Sequence, residues 1–413
     1  MDEILLAINF CFRYVDNDCR ISGTGQDLRI LILGGDGYLG WATAMHMAEL
    51  GHTVLAVDNY LRRKIADSAG VFSLVPTPRF EARAQVFRDV AGKDIQTAVL
   101  DCRDFGALRR TVGAFGPDAI IHYAELPSAP FSMAGYSEAQ LTLTNNLTTT
   151  FNLIWSIIEA APGCHVIKLG TLGEYGTPNI DIEEGWLEVE HKGRSQKFLY
   201  PREGCSLYHT SKIMETDLLW FYARTRGLRV TDLMQGPVYG VSTAQTRLDP
   251  GLATNLYYDD VFGTVLNRFV VQALAGIPLT VYGGGGQKRG FLNIVDTLQC
   301  VSLAASSPPP AGALRILNQF TEVFSVADLA RLVQEAAARL DIAVTIQHLD
   351  NPRKEQERHY YSPSNRGFVD LGLVHTALTA DVVVDMLQTV RPYTDRIDRD
   401  RILPTVDWSG RGA

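Results

Sequence analysis

Short apolar runs alternate with stretches of helical periodicity through the first 235 residues of the chain. Each run is rich in leucine or β-branched residues and is bounded by turn residues, which is typical of strands buried on both faces of a sheet. Strands that alternate with helices predict an α/β fold with a doubly wound parallel sheet. The predicted strands cover residues 28–35, 53–58, 95–100, 119–122, 165–169 and 230–233, and the first helix covers residues 41–50.

After residue 235 the pattern loosens into longer loops, with helical stretches near residues 261–275, 326–340 and 379–390. This part predicts a smaller lobe over the carboxyl ends of the strands, where open α/β sheets bind ligands. We therefore divide the chain into an N-terminal extension (1–27), a cofactor-binding domain that carries the catalytic residues (28–235) and a mainly substrate-binding lobe (236–413). Some elements of the lobe are expected to return to the first domain.

Composition narrows the class of protein. The chain has 46 acidic and 38 basic side chains and a net charge of −8, which disfavours nucleic acid as a partner. Its six cysteines lack CxxC spacing, so we expect no structural zinc site or other metal, no disulfide framework and a cytoplasmic location. The apolar stretch 4–12 follows acidic Asp2 and Glu3 and is too short to span a bilayer, so no membrane association is predicted.

The strongest motif is GGDGYLG, which spaces Gly34, Gly37 and Gly40 as GxxGxxG between the first strand and the first helix. The first glycine permits a tight turn, and the second lets backbone N–H groups approach a pyrophosphate. The third allows the helix to pack closely on the strand. Asp58 ends the next strand near the expected spacing of about 20 residues, which predicts a Rossmann-type dinucleotide site.

Asp58 also indicates which dinucleotide binds. Its carboxylate can accept hydrogen bonds from the ribose hydroxyls and repels a 2′-phosphate, which favours NAD over NADP. Arg62 and Arg63 follow closely and could hold such a phosphate, so the alternative stays open at this stage. Asp101 follows the strand 95–100 and is predicted either to meet the adenine edge or to cap a helix.

A second motif, YHTSK, places Tyr208 and Lys212 at i and i+4, on one face of a helix. An ammonium near a phenol, with the positive nicotinamide, is expected to lower the phenol pKa so that Tyr208 can take a proton from a sugar hydroxyl. Thr171, at the end of HVIKLG, can hydrogen-bond the reacting oxygen and complete a Thr-Tyr-Lys triad. The predicted cofactor contacts are Gly34, Gly37, Tyr38, Leu39, Gly40, Asp58, Asn59, Arg62, Asp101, Cys102, Tyr208 and Lys212.

These landmarks, in this order, resemble the extended short-chain dehydrogenase/reductase family, whose members act largely on nucleotide sugars. Longer segments resemble one branch of that family, which makes a sulfonated sugar nucleotide from UDP-glucose and sulfite. They are GTLGEYGTPNIDIEEG, YHTSK, QGPVYG, YDDVFGTVLNRF, TVYGGGGQKRGFLNIVDT and LNQFTEVFSV. The resemblance implies a UDP-hexose or related substrate, sulfite as a second substrate, and a homodimer.

The resemblance also implies a reaction course. Tyr208 and NAD oxidise the sugar at C4, and the ketone acidifies the hydrogen at C5. Loss of that proton with the C6 hydroxyl gives a 4-keto-5,6-ene, sulfite adds at C6, and hydride returns to C4. Related 4,6-dehydratases carry an Asp-Glu pair after the triad threonine, where this chain has Leu172 and Gly173.

Acid–base candidates for the elimination are therefore Glu174, His209 and Glu125, each of which could instead be structural. For the substrate, the resemblance assigns Arg289 and Arg353 to the diphosphate, whose paired oxygens suit guanidinium groups. The full set of predicted substrate contacts is Glu125, Thr171, Gln235, Asn267, Gln287, Arg289 and Arg353.

One segment departs from that branch. Its members read Glu-Gln-Arg-Ser-Ala-Pro where this chain has ELPSAP, so Leu126 and Pro127 replace polar groups beside the active site. Without sulfite capture, the enzyme would be a net 5,6-dehydratase acting on a nucleotide sugar or a nucleoside. A UDP-hexose 4-epimerase, which needs only the triad, and an inactive NAD-binding sensor are the remaining alternatives.

Overall fold

A computed structural model describes residues 27–259, 261–350 and 360–403. The strands in these ranges are β1 (Arg29–Leu33), β2 (Thr53–Asp58), β3 (Ile95–Val99), β4 (Ala119–His122), β5 (His165–Thr171), β6 (Trp186–His191), β7 (Arg194–Leu199), β8 (Arg229–Gln235), β9 (Val238–Tyr239), β10 (Leu279–Tyr282), β11 (Lys288–Asn293), β12 (Leu314–Gln319), β13 (Glu322–Ser325) and β14 (Ile346–Leu349). Seven of them form a parallel sheet in the order β12-β8-β5-β4-β1-β2-β3. The predicted doubly wound parallel sheet is thereby confirmed.

Helices cover both faces of this sheet. The α-helices in the described ranges are α1 (Tyr38–Glu49), α2 (Leu61–Ser68), α3 (Phe80–Ala91), α4 (Phe105–Phe115), α5 (Ala129–Met133), α6 (Tyr136–Ala160), α7 (Leu207–Arg226), α8 (Val265–Ala275), α9 (Ile294–Ser306), α10 (Val326–Ala338), α11 (Arg366–Asp370) and α12 (Ala380–Val390). Helices α4, α6 and α7 share one apolar core with the sheet, and α1, α3 and α9 share another. None of these helices has the combination of length and apolarity needed to cross a membrane.

The strand order determines where a ligand can bind. From β1 the chain builds the sheet outward through β2 and β3, then returns to β4 on the other side of β1 and continues through β5 and β8. The crevice at the carboxyl ends of β1 and β4 is therefore the switch point at which open α/β sheets bind ligands.

The smaller lobe has a core of its own, built by α8, α10 and α12. Helix α8 begins at Val265 rather than at residue 261, because Asp259 Oδ1 accepts hydrogen bonds from the N–H groups of Val261 and Phe262 and forms a turn there. Several strands were not predicted. Among them, β12 leaves the lobe to pair with β8 in the main sheet, and β6 and β7 form a separate hairpin. Residues 1–26 of the proposed extension lie outside the described residues.

Candidate functional site

A cavity of about 330 Å³ lies at the carboxyl ends of the central strands. Most of the predicted cofactor residues and the reactive end of the triad line it together. The predicted residues in its lining are Gly34, Gly37, Tyr38, Leu39, Gly40, Asp58, Asn59, Arg62, Cys102, Glu125, Thr171, Tyr208 and Gln235. The site is therefore one continuous cavity shared by the dinucleotide motif and the catalytic motif.

The glycine-rich turn has the geometry that a pyrophosphate needs. Gly34 has φ +88°, and a Cβ there would lie 2.7 Å from the Tyr123 carbonyl oxygen, so only glycine fits. Gly40 packs so closely against the Gly34 carbonyl that a side chain would overlap it. Gly37 precedes α1 without any side-chain cap, which leaves the first-turn N–H groups of α1 directed at the cavity.

Asp58 ends β2 and lines the cavity, at the position where Rossmann folds bind the ribose. Its carboxylate accepts hydrogen bonds from the backbone N–H groups of Asp36 (3.0 Å) and Tyr60 (2.7 Å). Asp36 is itself paired with Arg63 (2.9 Å) and with the buried Arg83 (2.7 Å). Because Arg63 is held by Asp36, a carboxylate and not a cation faces the ribose position, which fits NAD.

Arg62 and Asp101, which were also predicted to contact the cofactor, differ in their positions relative to the cavity. Arg62 lies between the rings of Tyr257 and Phe262, 4.8 and 4.7 Å from their centroids, in the cavity wall. Asp101 forms an ion pair with Arg103 at 2.7 Å and is not part of the cavity lining.

The triad comes from two elements. Thr171 ends β5, and its Oγ1 accepts a hydrogen bond from the Gly173 N–H at 3.1 Å. Tyr208 and Lys212 lie in the first two turns of α7, which Ser206 caps by accepting a hydrogen bond from the His209 N–H. Thr171 and Tyr208 line the cavity, whereas Lys212 is fully buried beside it.

Two carboxylates hold the Lys212 ammonium. It pairs with Glu125, from the loop after β4, and with Glu215 at 3.1 Å. Burial, and then the charges of Glu215 and Glu174, raise the pKa of Tyr208. The lowering expected from the sequence also requires the positive charge of the nicotinamide, so it remains a prediction for the NAD-bound enzyme.

Glu174 lies behind the cavity rather than in its lining. Its carboxylate is fully buried, accepts a hydrogen bond from the Thr171 N–H at 3.1 Å and pairs with Arg202 at 2.9 Å and Lys168 at 3.4 Å. A carboxylate with these partners orients the turn that carries Thr171.

His209 occupies a distinctive place. Its ring packs so closely on Gly173 that a side chain at residue 173 would overlap it. Gly173 is one of the two positions at which related 4,6-dehydratases carry acidic residues. The imidazole thus fills space that a side chain of residue 173 would otherwise take, and neither His209 nor Gly173 is part of the cavity lining.

Of the predicted substrate residues, Glu125, Thr171 and Gln235 line the cavity. Gln235 donates a hydrogen bond to Gln319 Oε1 at 3.1 Å. Asn267 accepts a hydrogen bond from the Gly240 N–H, Gln287 directly precedes β11, and Arg289 lies at the start of β11; none of the three is in the lining. Arg353 lies outside the described residues.

Sequence reasoning missed several buried charges around the site, including Arg83, Lys168 and Arg202. Lys168 had a visible signal, because a lysine inside the apolar run HVIKLG needs buried partners if that run is a central strand. Arg83 and Arg202 gave no such signal, because their partners Asp36 and Glu174 are distant in the chain.

Comparison with known proteins defines the class. The model of the NAD-dependent epimerase/dehydratase family matches residues 30–318. The chain belongs to this family, and NAD is its cofactor.

The chain is similar over most of its length to two curated enzymes. It is 44% identical to the chloroplastic UDP-sulfoquinovose synthase of Spinacia oleracea, with 93% of this chain and 80% of that protein covered. It is 40% identical to the UDP-sulfoquinovose synthase of Sulfolobus acidocaldarius, with 92% and 98% covered. The narrower resemblance seen in the sequence motifs is to this enzyme.

Solved structures confirm the fold. A UDP-glucose 4-epimerase from Bifidobacterium longum, in complex with NAD⁺ and UDP, superposes with a TM-score of 0.65 at 19% identity, covering 88% of this chain and 99% of that one. Another, from Stenotrophomonas maltophila, gives a TM-score of 0.68 at 16% identity, with 89% and 98% covered.

Proposed function

We propose that this enzyme converts UDP-glucose, or a close UDP-hexose, through a 4-keto-5,6-ene intermediate and adds sulfite at C6, as a UDP-sulfoquinovose synthase. The observation that carries the proposal is that Thr171 and Tyr208 line the same cavity as the dinucleotide-binding residues. The identity of 40–44% to two synthases over more than nine-tenths of the chain supports it.

The triad would perform the oxidation at C4. When bound, NAD would supply a hydride acceptor and a positive charge. Tyr208 takes the proton of the C4 hydroxyl, and the Thr171 hydroxyl hydrogen-bonds the same oxygen. Lys212, held by Glu125 and Glu215, supplies the fixed cation that stabilises the phenolate.

We assign the proton transfer at C5 to His209. Its ring fills the space of the residue 173 side chain, next to the triad threonine. Glu174 is bound behind the cavity by Lys168 and Arg202, and Glu125 is paired with Lys212. Glu125 lines the cavity whereas His209 and Glu174 do not, but the ion pairs of both carboxylates favour orientation of the triad over proton exchange with the sugar.

A second candidate, a net 5,6-dehydratase acting on a nucleotide sugar or a nucleoside, is favoured by one observation. Leu126 and Pro127 both line the cavity, so this part of its wall offers an anionic acceptor no side-chain hydrogen bond or charge. In that reaction the ketone is reduced again while the 5,6-alkene remains.

The test is mass spectrometry of the product from UDP-glucose and NAD, with and without sulfite, in deuterated water. We expect a sulfonated UDP-hexose only when sulfite is present, with solvent deuterium at C5. Loss of one water regardless of sulfite would identify the dehydratase. A product of unchanged composition, shown by NMR to be the 4-epimer, would overturn both proposals.

The remaining contacts belong to the same proposal. Gln235, Asn267, Gln287, Arg289 and Arg353 are proposed to hold the substrate.

The cellular location and the oligomeric state are also proposed. The buried thiols Cys102, Cys164 and Cys300 are free, which supports a location in a reducing compartment such as the cytoplasm. We also propose a homodimer formed through α6 and α7, whose shared surface exposes aromatic side chains.

A further inference from the structure

A lysine lies fully buried in the middle of the central strand β5. The Lys168 ammonium is within hydrogen-bond distance of four oxygens: Thr216 Oγ1 (2.9 Å), the Lys212 carbonyl (3.0 Å), Glu174 Oε1 (3.4 Å) and Asp232 Oδ2 (3.4 Å). All five residues are completely shielded from solvent. Burying an ammonium is costly unless carboxylates and hydrogen bonds compensate it, so these contacts fix its position.

Two of the four contacts lead directly to a part of the triad, and the other two join α7 to β8. Glu174 accepts the Thr171 N–H at 3.1 Å, so it fixes the turn that presents the threonine hydroxyl. The Lys212 carbonyl belongs to the catalytic lysine itself. Thr216, one turn further along α7, donates to Asp232 on β8 at 2.6 Å.

We propose that Lys168 is a positioning residue that sets the separation of Thr171 from Tyr208 and Lys212 by tying the end of β5 to the first turns of α7. Asp232 on the neighbouring strand gives the ammonium a third fixed point. The effect of Lys168 on turnover rests on the proposed function. Its effect on the geometry of the triad is independent of that function.

The surrounding charges support this arrangement. Burial alone would lower the pKa of Lys168, but the charges of Asp232, Glu174 and Glu215 outweigh burial and raise it, so the lysine stays protonated. His122, near Glu125, is neutral, because burial and the charges of Lys212 and Lys168 lower its pKa to about 3. The charged groups around the catalytic end of α7 are Glu125, Lys168, Glu174, Arg202 and Asp232 from other elements, and Lys212 and Glu215 from α7 itself.

The test compares Lys168→Met with Lys93→Met, the same change at an exposed lysine. The first readout needs no substrate: the pKa of the Tyr208 phenol in the NAD-bound enzyme, from near-ultraviolet absorbance of each variant minus its Tyr208→Phe counterpart. We expect Lys168→Met to raise this pKa by about one unit, because the Lys212 ammonium loses its alignment with the phenol. Lys93→Met should leave it unchanged.

The second readout uses UDP-glucose deuterated at C4. Lys168→Met should lower kcat by at least about tenfold, leave KM within about threefold and increase the primary isotope effect, because hydride transfer becomes slower. If Lys168→Met does not fold, Thr216→Val, which removes one hydroxyl of the network, should shift both readouts in the same direction by less.

A folded variant with lower thermal stability but an unchanged phenol pKa and unchanged kcat would overturn the proposal and leave Lys168 a purely structural residue. Failure of the wild-type enzyme to turn over UDP-glucose would instead count against the proposed function. In that case the phenol pKa alone decides the role of Lys168.

Discussion

At the scale of single residues, Asp58 links cofactor binding to protonation. Burial, and then the charge of Asp36, raise the pKa of Asp58 to about 6 in the cofactor-free protein. Ribose hydroxyls donate hydrogen bonds to a carboxylate and so favour its ionised form. NAD binding must therefore release a proton wherever Asp58 is protonated beforehand.

We accordingly expect NAD affinity to weaken as the pH falls through about 6, by up to about tenfold per pH unit below it. The direction of this pH dependence follows from the raised pKa of Asp58. Below that pKa the carboxyl group is mostly protonated and accepts hydrogen bonds weakly. Calorimetric titration with NAD between about pH 5 and 8 measures this. Asp58→Asn should bind NAD weakly and with little pH dependence, and a flat profile for the wild-type enzyme would contradict the expectation.

Residues differed in how far the sequence could predict them. Asp58, Thr171 and Tyr208 stand at fixed distances from a strand or from a motif partner, so their spacing indicated a common site. The contacts of Lys168 join residues 168, 174, 212, 216 and 232, and those of Arg83 reach Asp36 and the Ala253 carbonyl. Such contacts depend on tertiary packing, which periodicity does not encode.

At the scale of elements, strands marked by a local pattern were again predicted, and strands that depend on long-range pairing were not. Strands β1, β2, β4 and β5 were predicted because each is a local apolar run. Strand β12 was missed because its place beside β8 is decided by pairing across some eighty residues, Leu314 opposite Val230 and Gln319 opposite Gln235. The β6–β7 hairpin was missed because its side chains are mostly polar and exposed, so it carries no apolar pattern.

The approach of α7 to the turn after β5 leads to a prediction about His209. We expect His209→Asn to lower deuterium incorporation at C5 by at least about a hundredfold while NAD reduction by UDP-glucose persists. Gly173→Ala should act likewise, because its methyl group would displace the imidazole. The measurements are NMR of C5 exchange and absorbance of the reduced cofactor.

Matched variants separate this role from orientation of the triad. Glu125→Gln and Glu174→Gln should slow both steps together, since they act through Lys212 and Thr171. Gly113→Ala, in the exposed part of α4 where a Cβ meets only ordinary contacts, should change neither step. If Glu125→Gln alone lost C5 exchange and kept NAD reduction, the assignment to His209 would be wrong.

At the scale of the whole molecule, the long helices α6 and α7 leave an apolar face uncovered. Phe151 and Phe221 are 43% and 50% exposed, and Tyr222 lies between them, with ring centroids 6.4 Å from Phe151 and 5.2 Å from Phe221. Met214, two turns before Phe221 on α7, is 42% exposed. A contiguous aromatic patch of this kind is typical of a protein–protein interface, and the proposed occupant is the same face of a second copy.

We expect the protein to be a dimer by light scattering after size-exclusion chromatography, and Phe151→Glu with Phe221→Glu to make it a monomer. In a two-fold interface each substitution occurs twice. The added carboxylates would be buried in the interface and would repel those of the second copy across the axis. Val374→Glu, at an exposed apolar residue elsewhere, should leave the dimer intact. A wild-type monomer, or a dimer that survives both glutamates, would contradict the assignment. Because Gly34, Gly37, Gly40 and Asp58 all line the cavity, we expect the monomeric variant still to bind NAD.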